Sequence, residues 1–261
     1  MQIQRRISHY AAMAEGAAER LRSAADLVLD WFYPPHCYHC GAVLSGSRSR
    51  ILCPPCHQDL VASRIDGTIC RICGLRLYEE NDAKATCANC LTRVPDFDVA
   101  RALFSYAGPA GSLIVGFKFH NEFFLGPLLL KRALKMGWTP DGLGDFDAVV
   151  PVPLHPRRER ERGYNQALLL AKVVARHFER PLRRRALCRT RHTSQQTKLA
   201  AHRRWENVRG AFQTNADVRG ARLLLVDDVM TTGATASECA RVLKKAGARS
   251  VSVLTIARTQ P

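Results

Sequence analysis

The sequence has no long apolar run, and this absence excludes one class of protein. Nowhere do its residues approach the roughly 18 consecutive apolar residues that a membrane-spanning helix needs, so we expect no transmembrane segment. The first 30 residues also lack a continuous hydrophobic segment and a cleavage-like site, and they give no indication of a secretory signal peptide. We therefore expect a cytoplasmic protein.

Acidic residues are the second shortage. The 261 residues include 39 Lys and Arg but 23 Asp and Glu, which gives a formal net charge of +16. Residues 1–98 are balanced, whereas residues 155–209 carry 16 basic and 4 acidic side chains. This concentration predicts a polyanionic partner, either nucleic acid or a small ligand rich in phosphates. The alternative is a solubilising arginine face.

Cysteine is plentiful, and its spacing is regular. Eight of the ten cysteines form four C-x-x-C pairs between residues 34 and 93, with 12 or 13 residues between the two pairs of each repeat. Zinc binds four thiolates in a tetrahedron, and each C-x-x-C turn supplies two of them. The pattern predicts two zinc ribbons, too small to fold without their metal. The expected ligands are Cys37, Cys40, Cys53 and Cys56, then Cys70, Cys73, Cys87 and Cys90.

Other uses of these cysteines fit less well. Disulfides are rare in the cytoplasm, and four redox C-x-x-C motifs in one short segment would be unusual. The C-x-x-C-G repeat, at residues 37–41 and 70–74, favours ligand sets that are sequential over sets that are cross-braced. Three histidines, His36, His39 and His57, are alternative ligands, but the cysteine sets are complete without them.

The rest of the chain is organised around residues 223–235, LLLVDDVMTTGAT. Four apolar residues predict a buried strand, Asp227 and Asp228 follow at its carboxyl end, and a small polar loop then opens an amphipathic helix. In open parallel sheets, ligands bind beyond the carboxyl ends of the strands. The alternative is that the Asp and Thr residues only cap the next helix, but capping needs one such residue rather than five.

The residue types of this motif suit a sugar phosphate. Backbone N–H groups at the start of a helix attract a phosphate, Gly233 permits a positive φ, and the loop threonines add hydroxyl donors. Paired carboxylates accept hydrogen bonds from a sugar diol, and they can hold Mg²⁺ through water. Both halves of a sugar phosphate are thus provided for.

A second strand-to-helix junction is rich in arginine. A strand over residues 148–153 ends on prolines, and arginines then crowd a loop before a helix expected around residues 163–178. These side chains suit a second phosphate group, here a pyrophosphate, although solvated charges are the alternative. The junction arginines are Arg157, Arg158, Arg160 and Arg162.

Residues 189–209 carry many hydrogen-bond donors and predict a mobile lid over a leaving pyrophosphate.

Two resemblances follow from these motifs. VDDVMTTGAT resembles the phosphoribosyl pyrophosphate (PRPP) signature of type I phosphoribosyltransferases, in which two acids contact the ribose hydroxyls and the next loop holds the 5′-phosphate. Over residues 34–258, the paired ribbons with PVPLHPRRERERGYNQ, TSQQTKLAAHRRWENVRGAF and LLLVDDVMTTGAT resemble the ComF (competence protein F) family. One departure is TSQQ at residues 193–196, where that family commonly has Thr-Pro-x-Gln.

The resemblance implies PRPP as ligand, Mg²⁺ entering with it, and a link to DNA uptake in natural transformation. It also implies single-stranded DNA and proteins of the competence machinery as partners. The residues expected to act in catalysis are Asp227, Asp228, Arg162, Gln196 and Arg204. Those expected to bind PRPP are the two acids, then Thr231, Thr232, Gly233, Ala234 and Thr235, and finally Arg157 with Arg162.

We expect an α/β protein in three parts: an N-terminal helix over residues 1–33, a double zinc ribbon over 34–95, and a type I phosphoribosyltransferase-like domain over 96–261 with a mostly parallel sheet. The expected function is Mg²⁺-dependent transfer of ribose 5-phosphate with release of pyrophosphate, and the base-binding hood would come from residues 34–145. Two alternatives remain, a PRPP sensor that binds single-stranded DNA without turnover and a zinc-ribbon adaptor with an inactive domain. For base stacking, the basic stretch offers Tyr164 and Trp205, too few rings to favour DNA binding.

Overall fold

The computed structural model describes residues 34–44, 51–77, 85–191 and 201–260, the side chains of 201–203 excepted. The chain divides into two compact units, one ending at Gln58 and the other running on from Asp59. The N-terminal helix predicted for residues 1–33 lies outside the described residues. Within the described ranges, no helix is long and apolar enough to span a membrane.

The larger unit is built on four parallel strands. Its strands in chain order are β1 (Val99–Ser105), β2 (Ala148–Pro151), β3 (Cys188–Arg189), β4 (Phe212–Gln213), β5 (Arg222–Met230) and β6 (Ser250–Arg258). The main sheet has the order β1–β6–β5–β2, with all three pairings parallel, and β3 pairs with β4 in a separate antiparallel ribbon. Parallel neighbours need crossover connections, and helices supply them. The predicted α/β class with a mostly parallel sheet is confirmed.

The helices have clear start and stop signals. The described helices are α1 (Pro54–Ala62), α2 (Ala88–Thr92), α3 (Gly108–Phe119), α4 (Leu125–Lys135), α5 (Pro156–Arg162), α6 (Gln166–His177), α7 (Ala201–Val208) and α8 (Ala234–Lys245). Helix α3 has Pro109 in its first turn, where a missing N–H costs nothing. Helix α6 is capped by Asn165, whose side chain accepts a hydrogen bond from Leu168 N at 3.3 Å.

The centre of the sheet is buried on both faces, as the apolar run in β5 predicts. Residues 223–226 are each at most 1% exposed. Because side chains alternate along a strand, Leu223 and Leu225 share one face, and they belong to the same core cluster as Leu243 of α8. Helices α6 and α8 both pack on β5. The strand therefore forms a rigid base for the residues that follow its apolar run.

One strand boundary differs from the prediction, and the difference shapes the site. Strand β5 continues to Met230, so Asp227 and Asp228 lie inside the strand and not after it. The two strands beside β5 end at different points. Strand β6 stays paired with β5 as far as Met230, whereas β2 ends at Pro151, opposite Val226. Among the described strands, β5 thus has a neighbour on one side only where the two acids lie.

The arginines predicted in a loop lie instead on the short helix α5. Pro156 stands in its first turn, and the His155 side chain accepts a hydrogen bond from Arg157 N at 3.2 Å. Gly163, with a φ of 80°, ends the helix in the left-handed conformation that glycine adopts readily. These capping signals, with an ion pair of 2.9 Å between Arg157 and Glu161, make a separate helix before α6.

Candidate functional site

The smaller unit contains a compact cluster of four cysteines. The sulfur atoms of this first cluster all lie within 4.8 Å of one another, and those of Cys40 and Cys53 are 3.6 Å apart. The turn between the first pair closes through a hydrogen bond of 2.9 Å from Gly41 N to Cys37 O. The first cluster consists of Cys37, Cys40, Cys53 and Cys56.

The larger unit contains the second cluster. Its four sulfur atoms also lie within 4.8 Å of one another, with those of Cys73 and Cys87 3.6 Å apart. All four residues are buried, and the backbone N–H of Cys87 donates to Cys70 Sγ at 3.4 Å. The second cluster consists of Cys70, Cys73, Cys87 and Cys90.

Both clusters fit zinc in number, type and spacing of ligands. A Zn–S bond of about 2.3 Å in a tetrahedron places two sulfurs roughly 3.8 Å apart, close to the 3.6 Å found in each cluster. The grouping follows the order of the chain, as in the sequential sets and not as in the cross-braced ones. Within the described residues, no histidine belongs to either set. The protein therefore has two zinc sites, each with four cysteine ligands.

A cavity of about 520 Å³ opens where β2 ends beside β5. Its wall comes from six parts of the larger unit: Tyr106 after β1, the end of α3 with the residues that follow, residues 152–154 after β2, the α5–α6 junction, residues of β3 and α7, and the end of β5 with the loop that follows. This is the sheet edge at which ligands of parallel α/β proteins bind. Most of the residues predicted for the site meet here.

The two acids lie on the floor of this cavity. Asp228 is 7% exposed, and its Oδ1 forms an ion pair with Lys118 Nζ at 2.9 Å. Asp227 accepts a hydrogen bond from Asp228 N at 2.8 Å. Burial, and secondly the charge of Asp228, raises the pKa of Asp227 to about 7, although Lys118 acts in the opposite direction. The charge of this carboxylate pair, and hence its strength as a hydrogen-bond acceptor, therefore depends on burial and on the neighbouring cation.

The loop after β5 has the form expected of a phosphate-binding turn. Gly233 has a φ of 80° and precedes α8, and Ala234 N donates to Thr232 Oγ1 at 3.4 Å. Thr231 and Thr235 line the cavity, whereas the other three residues of the predicted loop do not. Two threonines, one of them the second residue of α8, thus line the same space as the two acids.

The predicted arginines separate into two groups. Arg162 and Arg204 line the cavity, and Arg162 also lies over the ring of Phe119, with its guanidinium carbon 5.3 Å from the centroid. Arg157 does not line it; its exposed side chain is paired with Glu161, which does. Gln196 lies outside the described residues, as does the middle of the predicted lid.

Lys118 lines the cavity but was not among the predicted residues, whereas two other basic wall residues, Arg158 of the junction and Arg189 at the start of the predicted lid, lie in segments that were predicted. Arg189 comes from β3, a strand too short to predict. Lys118 had a signal, because it is the one charged residue in the twelve of α3. A lone charge on an otherwise apolar helix must find a buried partner, and here the partner is Asp228.

Gln166 is a further cavity residue that carried no signal as a site residue. Its side chain is 2% exposed and lines the cavity. Neither of its polar atoms has a hydrogen-bond partner among the described residues. Buried amide groups are normally satisfied, so Gln166 offers a donor and an acceptor to whatever fills the cavity.

Comparison with known proteins agrees with this architecture. A family model for a double zinc ribbon domain matches residues 28–91, and one for a phosphoribosyl transferase domain matches residues 165–260. Among solved structures, purine phosphoribosyltransferase from Pyrococcus horikoshii aligns with a TM-score of 0.30 and 13% identity, covering 52% of this chain and 82% of that one. A likeness at that level carries no argument.

Curated relatives cover most of the chain. Competence protein F of Haemophilus influenzae is 32% identical over 87% of this chain and 98% of its own length. DNA utilization protein YhgH of Escherichia coli is 35% identical over 80% of this chain and 90% of its own length. Competence protein ComFC of Bacillus subtilis is 31% identical, with coverages of 80% and 84%.

The fold and the two kinds of site define a class, in which a double zinc ribbon is joined to a phosphoribosyltransferase-like domain. Identity above 30% over nearly the whole length of a relative is more specific than either domain alone. The chain belongs to the competence protein F (ComF) family.

Proposed function

We propose that the cavity binds PRPP with Mg²⁺ and that the protein transfers ribose 5-phosphate with release of pyrophosphate. The observation that carries the proposal is the shared cavity: two acids, a threonine loop at a helix start and a group of arginines all line it. PRPP carries a diol, a 5′-phosphate and a pyrophosphate, and each has a chemically matched group in that wall.

Each group has a definite role in this proposal. Asp227 and Asp228 accept hydrogen bonds from the ribose hydroxyls, and their oxygens are the hard donors that Mg²⁺ prefers. Thr231 and Thr235, with the start of α8, hold the 5′-phosphate. Mg²⁺, when bound, supplies positive charge to the pyrophosphate. Arg162 and Arg204 would add charge-assisted hydrogen bonds to the same group, with Gln196 acting from the lid.

Lys118 adds a cation that the sequence-based assignment lacked. Its ion pair with Asp228 holds that carboxylate in place before a ligand arrives. Lys118 also lines the cavity, where its ammonium group can turn toward a phosphate oxygen. Chemistry would break the bond from ribose C1 to the pyrophosphate oxygen, which leaves with the electron pair, and C1 would bond to a nucleophile. Positioning and charge stabilisation are the main contributions of the protein.

The test is calorimetric titration of the zinc-loaded protein with PRPP, with and without Mg²⁺. Saturable binding that is lost in the Asp227→Asn/Asp228→Asn double variant supports the site. A folded, zinc-loaded protein that takes up no PRPP would remove the proposal. If PRPP binds, pyrophosphate release in the presence of candidate acceptors separates a transferase from a sensor.

A second function, binding of single-stranded DNA, gains support from an aromatic cluster on the surface. Phe119, Phe123 and Phe124 are 46–60% exposed, and Phe119 lines the cavity. Phe123 packs edge-on against Tyr164, with centroids 6.3 Å apart. Exposed rings beside arginines are the combination with which proteins hold single strands. This cluster lies mostly outside the basic stretch, so the sequence count of aromatic rings missed it.

Because relatives are named for competence and DNA utilization, this second proposal includes a role in DNA uptake, with competence proteins as partners. The reduced thiols that both zinc sites require favour the cytoplasm as its location. Affinity for an oligo(dT) strand should fall steeply with salt. It should also weaken about tenfold in a Phe123→Ala/Phe124→Ala variant if the rings stack on bases. Unchanged affinity in that variant would remove the aromatic cluster from DNA binding.

A further inference from the structure

The second cysteine cluster is built into the sheet of the larger unit. Ala100 N of β1 donates to Ile72 O at 2.7 Å, so the C-x-x-C turn extends the edge of the sheet. A Cβ on Gly74 would lie 2.7 Å from Ala100 O, so the residue after Cys73 has no room for a side chain. In addition, Arg258 Nη1 at the end of β6 donates to Cys73 O at 2.7 Å. The turn and the sheet are thus one packed structure.

The segment that leaves this cluster packs against the loop after β5 (residues 231–235), here called the phosphate loop. Phe97 is 3% exposed, and a Cβ on Gly233 would lie 3.5 Å from its ring. Asp96 N donates to Ser237 Oγ at 2.9 Å, and Ser237 Oγ donates back to Asp96 Oδ2 at 2.7 Å. Ser237 stands in the first turn of α8, the helix whose second residue, Thr235, lines the cavity. The loop therefore rests on residues that the second cluster anchors.

The same segment also contacts the helix that follows the predicted lid. The guanidinium of Arg93, three residues after Cys90, lies over the ring of Trp205 at 5.1 Å. Trp205 is the neighbour of Arg204, which lines the cavity. A cation over an indole ring is an attractive contact, so the second cluster supports α7 as well as the phosphate loop.

We infer that the second cysteine cluster, with its zinc, is a positioning element of the PRPP site, so that metal occupancy there and PRPP binding are coupled. The inference rests on the proposed binding of PRPP. Coupling of this kind is reciprocal: if zinc orders the loop for PRPP, then PRPP must hold zinc more tightly at the second cluster. The first cluster belongs to a separate compact unit and serves as the internal control.

The test uses the full-length protein loaded with two equivalents of zinc. Zinc loss to the dye 4-(2-pyridylazo)resorcinol is followed with Mg²⁺ alone and with Mg²⁺ plus saturating PRPP, next to a calorimetric titration of the same sample. We expect PRPP to slow one of the two equivalents about fivefold or more. In a Cys37→Ser/Cys40→Ser variant, which removes the first cluster, the remaining zinc should be the protected one. If that variant does not fold, the test rests on the wild-type protein, in which PRPP should slow the loss of one zinc equivalent and not of both.

The outcomes separate the two claims. Binding of PRPP by calorimetry, with both zinc equivalents lost at unchanged or equally changed rates, overturns the coupling and leaves the proposed function standing. Absence of any PRPP binding overturns both. As a second readout, Trp205→Leu should keep two zinc equivalents but weaken PRPP binding and reduce the protection, whereas Trp205→Phe should restore part of both. Equal behaviour of the two variants would contradict a positioning role for this contact.

Discussion

The two cysteine clusters have the same ligands and nearly the same sulfur spacing, yet they stand in different surroundings. The first belongs to the smaller unit, where its turn closes on itself through Gly41. The second is part of the core of the larger unit, with Phe97 and Ala100 in the same cluster of buried residues. The same C-x-x-C motif forms both metal sites, but the residues packed around each site determine which other parts of the protein depend on its metal.

Removal of the metal ligands gives the largest predicted difference. Structural zinc contributes about 10–16 kcal/mol of apparent folding free energy in small domains, comparable to the whole stability of a protein. Cys70→Ser/Cys73→Ser should therefore unfold the larger unit. Cys37→Ser/Cys40→Ser should leave its melting transition in place. Thermal melts followed by circular dichroism, with zinc content measured in parallel, compare the two, and equal losses would break the distinction.

A matched pair of glycines sharpens the comparison without touching a ligand. Gly41 and Gly74 follow the second cysteine of each turn with φ of 76° and 68°. Gly41→Ala should cost about 1–2 kcal/mol for the left-handed backbone alone, because nothing else in the described residues lies within 4 Å of the new Cβ. Gly74→Ala should cost roughly 1–3 kcal/mol more, because Ala100 O is 2.7 Å away. Denaturant unfolding measures both, and equal costs would mean that the second turn is not tightly packed on β1.

Two arginines of α5 allow a similar comparison at the cavity. Arg162 lines it, whereas Arg160 is exposed on the same helix. Hydrogen bonds to a charged group contribute about 1.5–3 kcal/mol, so Arg162→Gln should weaken PRPP binding about tenfold to hundredfold. Arg160→Gln should leave it within about twofold. Calorimetry of the two variants decides, and similar losses would indicate a general charge effect instead of a contact.

The pH dependence of binding is the smallest predicted effect. Because the pKa of Asp227 is raised to about 7, its carboxyl takes up a proton as the pH falls through neutrality and loses acceptor strength. PRPP affinity, measured by calorimetry across this range, should then fall by up to about tenfold per pH unit below pH 7. Asp227→Asn should remove this part of the slope and leave only the titration of the ligand. Lys118→Met should move the midpoint upward, because Lys118 lowers the pKa of Asp227.

The sequence was informative where local pattern decides structure. The strand, loop and helix of residues 223–245 and the two groups of cysteines were predicted from local pattern, because a C-x-x-C turn and a strand-to-helix junction each fold from neighbouring residues. The length of β5 was not predictable in this way, because the pairing of Met230 depends on β6, some twenty residues later. The same holds for Arg157 and Arg162, since the face of α5 that meets the cavity is set by tertiary packing.

Hydrogen–deuterium exchange of the zinc-loaded protein, with and without saturating PRPP and Mg²⁺, shows whether PRPP orders the phosphate loop and the second cluster together. We expect slower exchange of backbone amides in residues 229–237 on PRPP binding, with smaller protection at 70–75 and 93–98. Residues 36–44 around the first cluster should not change. If saturating PRPP leaves 229–237 unprotected, the proposed site is wrong, and if it protects both cysteine clusters equally, the second cluster has no special coupling to that site.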